Sequence, residues 1–189
     1  MNLKSEKTVA KIVTKLGKIK SGPQVVHVEG TWGSFSRLLA AHISRELGRG
    51  ILYVCQHIDQ ADKAADDLGV FAGQQIESFV AWEGQEELAD ATDDIRSERL
   101  RLAMRLAAAK ESFITTTSIQ AICQPIPKPA AIEKSILALR TGEDVSPEKI
   151  AGWLVDSGFE NVERIDLPGQ FARRGGIIDV FAPLVCDKV

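Results

Sequence analysis

The sequence predicts an α/β fold, a mostly parallel sheet flanked by helices, followed by a small α+β domain. Three observations carry this expectation. From residue 24 to residue 116, short apolar runs alternate with amphipathic stretches, the β-α-β-α order of parallel strands covered by crossover helices. Three prolines then crowd into Pro125-Ile126-Pro127-Lys128-Pro129. Each removes a backbone donor and restricts its predecessor, so the cluster reads as a domain boundary. Beyond it come a helix start and a glycine-bounded strand run, a different order of elements. The expected domains are therefore 1–124 and 125–189.

The N-terminal segment places Lys4, Lys7, Lys11, Lys15, Lys18 and Lys20 among Val9, Ile12, Val13 and Leu16. The apolar positions recur at i, i+3, i+4 and i+7, which gives an amphipathic helix with a solvated, lysine-rich outer face. Residues 24–28 (QVVHV) are an expected strand ending in the turn Glu29-Gly30. Residues 34–47 are an expected helix with Phe35, Leu38, Leu39, Ile43 and Leu47 on one side, stopped by Gly48. Residues 51–55 (ILYVC) read as a second, buried strand, and 60–68 as a helix with Gly69 just beyond it. A weaker strand candidate covers 75–80, and a loop is expected around Trp82-Glu83-Gly84. Thr92 suits the N-cap of a helix running to about Lys110, with Asp93 and Asp94 favourable in its first turn. Residues 113–116 are a third apolar strand.

After the prolines, residues 135–140 are an expected strand. Ser146-Pro147 then opens a helix, with serine as N-cap and proline at the first helical position. Ile150, Trp153 and Leu154 form its apolar stripe and Gly158 its stop. A hairpin from Val162 through Phe181 completes this unit.

Composition bounds the function. A length of 189 residues suits one large or two small domains. A net charge of −3 argues against a dedicated, globally basic nucleic-acid binder but leaves room for a local basic patch. Cys55, Cys123 and Cys186 are far apart and contain no CxxC, and with only His27, His42 and His57 no zinc spacing arises. Reduced thiols, no signal-peptide pattern and no apolar run near ~20 residues lead to the expectation of a cytoplasmic protein.

Chemistry is expected first at the strand–turn–helix around residue 30. A phosphate-binding loop needs G-x-x-x-x-G-K-[ST], in which amides cradle the phosphates, lysine neutralises them and the hydroxyl holds magnesium. Here the turn reads Glu29-Gly30-Thr31-Trp32-Gly33-Ser34-Phe35-Ser36. No lysine is present, Ser34 and Phe35 occupy the Lys and Ser/Thr places, and Glu29 sets a negative charge beside any phosphate. The loop is therefore expected to be a remnant that turns over no nucleotide. Other catalytic patterns fail as well. Glu86/Glu87 and Asp93/Asp94 are sequence neighbours that do not converge as an acid/base pair on a helix, and no serine has a G-x-S-x-G setting. Trp32, Trp82 and Trp153 read as packing groups, with Trp32 in the glycine turn the exception worth asking about.

The other informative stretch is 169–181, GQFARRGGIIDVF, preceded by the turn signal Leu167-Pro168-Gly169. Counted as one alternating strand, Phe171, Arg173, Ile177, Asp179 and Phe181 share one face, and Ala172, Arg174, Ile178 and Val180 share the other. Each face then mixes arginine with apolar groups. That mixture fits a protein–protein contact, or a half-buried hairpin whose arginines make structural ion pairs.

Residues 157–183, SGFENVERIDLPGQFARRGGIIDVFAP, resemble the segment shared by bacterial transcription-repair coupling factors (Mfd) and the excision-repair protein UvrB. In both, a pattern close to G-[EQT]-[FY]-x-x-R-G-x-[IVL]-[IVL]-[DE]-[IVL]-F-P closes a small domain that docks onto UvrA. This chain departs from it only by Ala182 between Phe181 and Pro183. The resemblance extends to the Trp82-Glu83 loop, to Ser97-Glu98-Arg99-Leu100 and to residues 113–123 (FITTTSIQAIC), and is weak before about Gly50. The empty glycine turn favours the coupling factors, whose nucleotide site has decayed, over UvrB, which keeps G-K-[ST].

The resemblance implies a UvrB-like α/β domain with a degenerate nucleotide site, followed by a UvrA-binding domain. It implies a UvrA-recruiting module with no cofactor and no catalysis of its own, cut from a longer protein whose other domains engage RNA polymerase and move on DNA with ATP. Arg174 matches the arginine of the motif, and Ile178 is its expected aliphatic neighbour. Arg164 extends the patch if the register brings it beside Arg174, and Arg173 is expected either at its edge or in a structural pair. Two other readings stand beside this one: a UvrB-like or other nucleotide-binding subunit of a repair ATPase, and a scaffold domain that makes no UvrA contact.

Overall fold

The computed structural model describes residues 3–82, 89–109, 112–134 and 136–182. In chain order its helices and strands are α1 (Lys7–Gly17), α2 (Phe35–Leu47), β1 (Ile51–Cys55), α3 (Ile58–Ala72), β2 (Glu77–Phe79), α4 (Ala89–Ala108), β3 (Ile114–Ser118), α5 (Ile119–Cys123), α6 (Pro129–Lys134), α7 (Pro147–Asp156), β4 (Glu160–Asn161), β5 (Gln170–Arg174) and β6 (Ile177–Phe181). They fall into two compact units: Met1–Glu83 with Ala108–Pro125, and Gly84–Ala107 with Ile126–Val189.

The first unit is the α/β one. β1 and β2 both run parallel to β3, which lies between them in the order β1-β3-β2. Register pairs Ile51 with Ile114 and Ser78 with Thr116. α3 packs on β1 and β3, and α2 packs on α3. Their shared core is Ala41, Leu68 and Ile114, with Ile51, Tyr53, Phe71 and Ile76 around it. The amphipathic pattern of α1 docks onto α2 through Val9 and Leu39, flanked by Ile12, Val13, Phe35 and Leu38. The central strand is threonine-rich yet fully buried. Its hydroxyls find partners on β2: Thr116 Oγ1 meets Ser78 Oγ at 2.6 Å, and Thr117 Oγ1 donates to the Phe79 carbonyl at 2.8 Å. A buried hydroxyl is tolerated when it is hydrogen-bonded in this way.

The second unit holds a small mixed sheet of order β4-β5-β6, in which β4 is parallel and β6 antiparallel to β5. Leu154, Phe171 and Ala172 are buried. Ser146 caps α7 by accepting from the Lys149 amide at 3.5 Å, with Pro147 at the first helical position.

Several expectations are corrected. Residues 24–28 form no strand: they pair with no neighbour and leave Val25 exposed. Residues 136–140 likewise lack regular structure, while Ser135 lies outside the described residues. β1 is an edge strand rather than a doubly buried one, with Leu52 and Val54 exposed on alternate positions. α3 does not stop at Gly69. It continues because Phe71 and Ala72 pack on the core, and it ends at Gly73, whose φ of +69° suits glycine. α4 already runs from Ala89, so Thr92 lies inside it rather than capping it. Glu83, Gly84, Glu86 and Glu87 lie outside the described residues.

Candidate functional site: an arginine-rimmed hairpin

The hairpin turns on Gly175-Gly176, with Gly175 at φ +63° in the left-handed region. The two-residue turn pairs Arg174 with Ile177, Arg173 with Ile178, Ala172 with Asp179, Phe171 with Val180 and Gln170 with Phe181. Residues directly opposite one another share a sheet face. One face therefore carries Gln170, Ala172, Arg174, Ile177, Asp179 and Phe181, and the other carries Phe171, Arg173, Ile178 and Val180. This corrects the face assignment made from a single alternating strand: the turn shifts the count, so the aliphatic neighbour of Arg174 is Ile177, while Ile178 belongs with Arg173.

The loop feeding β5 is held by one side chain. Gln170 Oε1 accepts from the Asp166 and Leu167 amides, both at 3.0 Å, and its Nε2 donates to Glu160 Oε2 at 3.1 Å. The Gly169 amide closes the other end of the hairpin on the Phe181 carbonyl at 2.7 Å. Phe171, fully buried, anchors the strand from below.

On this frame the two adjacent arginines part ways. Arg173 pairs with Glu148 in the first turn of α7, and its Nε also donates to the Gly175 carbonyl at 3.3 Å. Glu148 is doubly engaged, since the Ser146 hydroxyl donates to it at 2.7 Å. That hydroxyl, the residue's own amide and Arg173 hold the Glu148 carboxyl down at about 2. Arg174 instead donates to the Glu163 carbonyl at 3.2 Å, its one hydrogen bond among the described residues, and stays exposed. Beside it Ile177 is 66% exposed, and on the same face, at the far end of the hairpin opposite Gln170, Phe181 is 46% exposed. Arg164, next in sequence to Glu163, is in a loop and not on a strand, and it meets Asp166 at 3.4 Å with 86% of its side chain exposed. The structure thus gathers Arg174, the Glu163 carbonyl and Ile177, sets Phe181 on the same face at the far end of the hairpin, and keeps Arg173 for α7. Sequence reasoning missed Ile177 as the neighbour of Arg174. The signal that finds it is Gly175-Gly176 read as a two-residue hairpin turn.

The glycine turn of the first unit has a different character. No strand precedes it, and Trp32 is 84% exposed. The Phe35 amide donates to the Trp32 carbonyl at 3.1 Å, and Ser36 Oγ is bonded to the Tyr53 hydroxyl at 2.8 Å. Arg37 folds back on the turn, donating to the Gly33 carbonyl at 3.0 Å and facing Asp67 at 3.8 Å. The Phe35 amide, the Ser36 hydroxyl and Arg37 Nη1 are thus bonded to their own fold. Among the described residues no group of His, Cys, Asp and Glu is placed to hold a metal ion, and no helix is long and apolar enough to cross a membrane.

The class of module that this hairpin unit resembles is the UvrB interaction domain, whose family model matches residues 137–188. Over more of its length the chain is similar to the transcription-repair-coupling factors. It is 28% identical to that of Bacillus subtilis strain 168 over 163 residues, covering 84% of this chain and 14% of the relative. It is 29% identical to that of Mycobacterium tuberculosis over 157 residues, covering 78% and 12%, and 27% identical to that of Staphylococcus aureus strain MRSA252 over 145 residues, covering 74% and 12%. The chain therefore corresponds to a small part of each of these relatives.

Proposed function

We propose that this chain is a UvrA-recruiting module of a transcription-repair coupling factor, and that the Arg174 face of the β5–β6 hairpin is its docking surface. The observation that carries this is the exposed guanidinium of Arg174 beside the exposed Ile177, with Phe181 exposed on the same face at the far end of the hairpin, within the segment that matches the UvrB interaction domain. A carboxylate on UvrA would take the guanidinium, Ile177 would exclude water around the pair, and Phe181 would extend the apolar contact along the strand. Arg164 extends the cationic rim, Arg173 holds the hairpin to α7, and Ile178 serves on the Arg173 side. The module recruits and does not catalyse. It takes no cofactor, and its glycine turn hydrolyses no nucleotide. Coupling to RNA polymerase and movement on DNA belong, on this reading, to other parts of a longer cytoplasmic protein.

Titrating purified UvrA onto the chain in a calorimeter or on a biosensor tests the proposal. Saturable binding that survives removal of nucleotide from this chain is expected, and its absence at tens of micromolar UvrA would overturn the assignment. The domain boundary at residue 125 is proposed on the proline cluster. A broad-specificity protease should cut first within 125–129, where few contacts are expected to cross. First cleavage inside β1 would contradict it.

A further inference from the structure

We propose that the outer face of α1 binds the phosphate backbone of a nucleic-acid duplex without reading its sequence. The inference does not rest on the UvrA reading, which concerns residues of the hairpin. Residues 1–28 hold six lysines against one acid, Glu6, in a chain whose net charge is −3. The sign of the charge is thus reversed locally. Lys7, Lys11, Lys15 and Lys18 are exposed. At 100° per residue they fall within roughly 80° of arc, on the side of the helix opposite Val9, Ile12 and Leu16. Lys4 lies against Glu46 at 3.0 Å, whereas these four make no ion pair among the described residues. Their charges are available.

The spacing suits one polyanion in particular. Along the axis the four lysines cover about 16 Å at 1.5 Å per residue, the length over which one strand of a duplex presents about five phosphates at 3.4 Å each. Small residues lie between the lysines: Ala10 and Thr14, with Lys11, Lys15 and Lys18, line a shallow, open depression of about 330 Å³. A backbone can therefore come close to the helix barrel. Arg49 adds a cation at the C-terminal end, donating to the Leu16 carbonyl at 3.0 Å and the Ile19 carbonyl at 2.7 Å. The stripe offers flexible ammonium point charges and no arginine, asparagine or glutamine fork for a bidentate base contact, which suits phosphate positioning without sequence readout. A lipid surface is disfavoured because amphipathic helices bind membranes through their apolar face, and that face of α1 is occupied by Leu39, Phe35 and Leu38.

The test is fluorescence anisotropy of a labelled 20-base-pair DNA duplex of arbitrary sequence with the full chain. Neutralising four phosphates predicts a log–log salt slope of about −3.6, hence affinity falling on the order of 100-fold between 50 and 200 mM salt. Replacing Lys7, Lys11, Lys15 and Lys18 together by Gln should weaken binding at least about tenfold at 50 mM salt and flatten the slope. If that variant does not fold, Lys11→Gln with Lys15→Gln should make the slope shallower by about 1.8. Lys63→Gln, at a lysine already paired with Asp59, should change nothing. No saturable duplex binding at low salt, or variants that keep the parent's affinity and slope, would overturn the proposal. So would lysine-dependent binding to phosphatidylserine vesicles without duplex binding, which would move the partner to a lipid surface.

Discussion

Two of the glycine turns, at Gly30–Gly33 and at Gly175-Gly176, each set an arginine beside the backbone, and they differ in what is left over. Arg37 curls onto its own turn at the Gly33 carbonyl and toward Asp67, while Ser36 is bonded to Tyr53. Among the described residues Arg174 makes one carbonyl contact and stands beside the exposed Ile177. In the first turn the polar groups stabilise the fold. In the second they remain open to a partner, and the neighbouring Arg173 does the structural task instead. A glycine-rich turn next to an arginine is therefore no indicator of function until the hydrogen bonds of that arginine are counted.

The largest expected effect strikes the frame of the second turn. Phe171→Ala removes a fully buried aromatic beneath β5 and should cost about 3–5 kcal/mol in urea denaturation. A cost under about 1 kcal/mol would mean that the hairpin is not held from below.

A smaller effect separates the two adjacent arginines. The Glu148 carboxyl is held at about 2 in the folded chain, against about 4.3 when unfolded. Its contribution to stability is fully present above the unfolded value, shrinks below it and is lost as pH falls through about 2. Glu148→Gln should therefore lower the melting temperature modestly at pH 7 and by progressively less as the pH falls from about 4 toward 2, with UvrA binding retained. Arg173→Ala should behave in the same way. A pH-independent loss would assign the effect to packing rather than to the ion pair.

The smallest expected effect is none. Millimolar Mg-ATP should not raise the melting temperature, because a ligand stabilises by mass action only where it binds the folded chain. A saturable shift with a micromolar midpoint would break the contrast between the turns and make the first one a nucleotide site.

Much of this was legible in residue patterns. The periodicity of Val9, Ile12, Val13 and Leu16 marks α1, Ser146-Pro147 marks the start of α7, and the runs at 51–55 and 113–116 mark the parallel strands. What failed depends on partners that no local pattern names. QVVHV carries three β-branched valines in five residues, yet ILYVC and not QVVHV acquires a neighbouring strand, since pairing and not propensity alone decides a strand. Gly69 is a stop signal in isolation and is overridden where Phe71 reaches the core. At the site, the motif named Arg174, but alternation carried through the turn misassigned its neighbour. The two glycines held the missing information, because a two-residue turn fixes which positions face each other.

The most direct measurement compares Arg174→Ala with Arg173→Ala in UvrA binding by titration calorimetry, with the melting temperature of each variant measured alongside. Arg174→Ala should lose about 2 kcal/mol of binding, about 30-fold in Kd, at an unchanged melting temperature, while Arg173→Ala keeps its affinity and melts lower. If Arg174→Ala binds UvrA as tightly as the parent, or unfolds the hairpin unit, the docking face lies elsewhere and the arginine is structural.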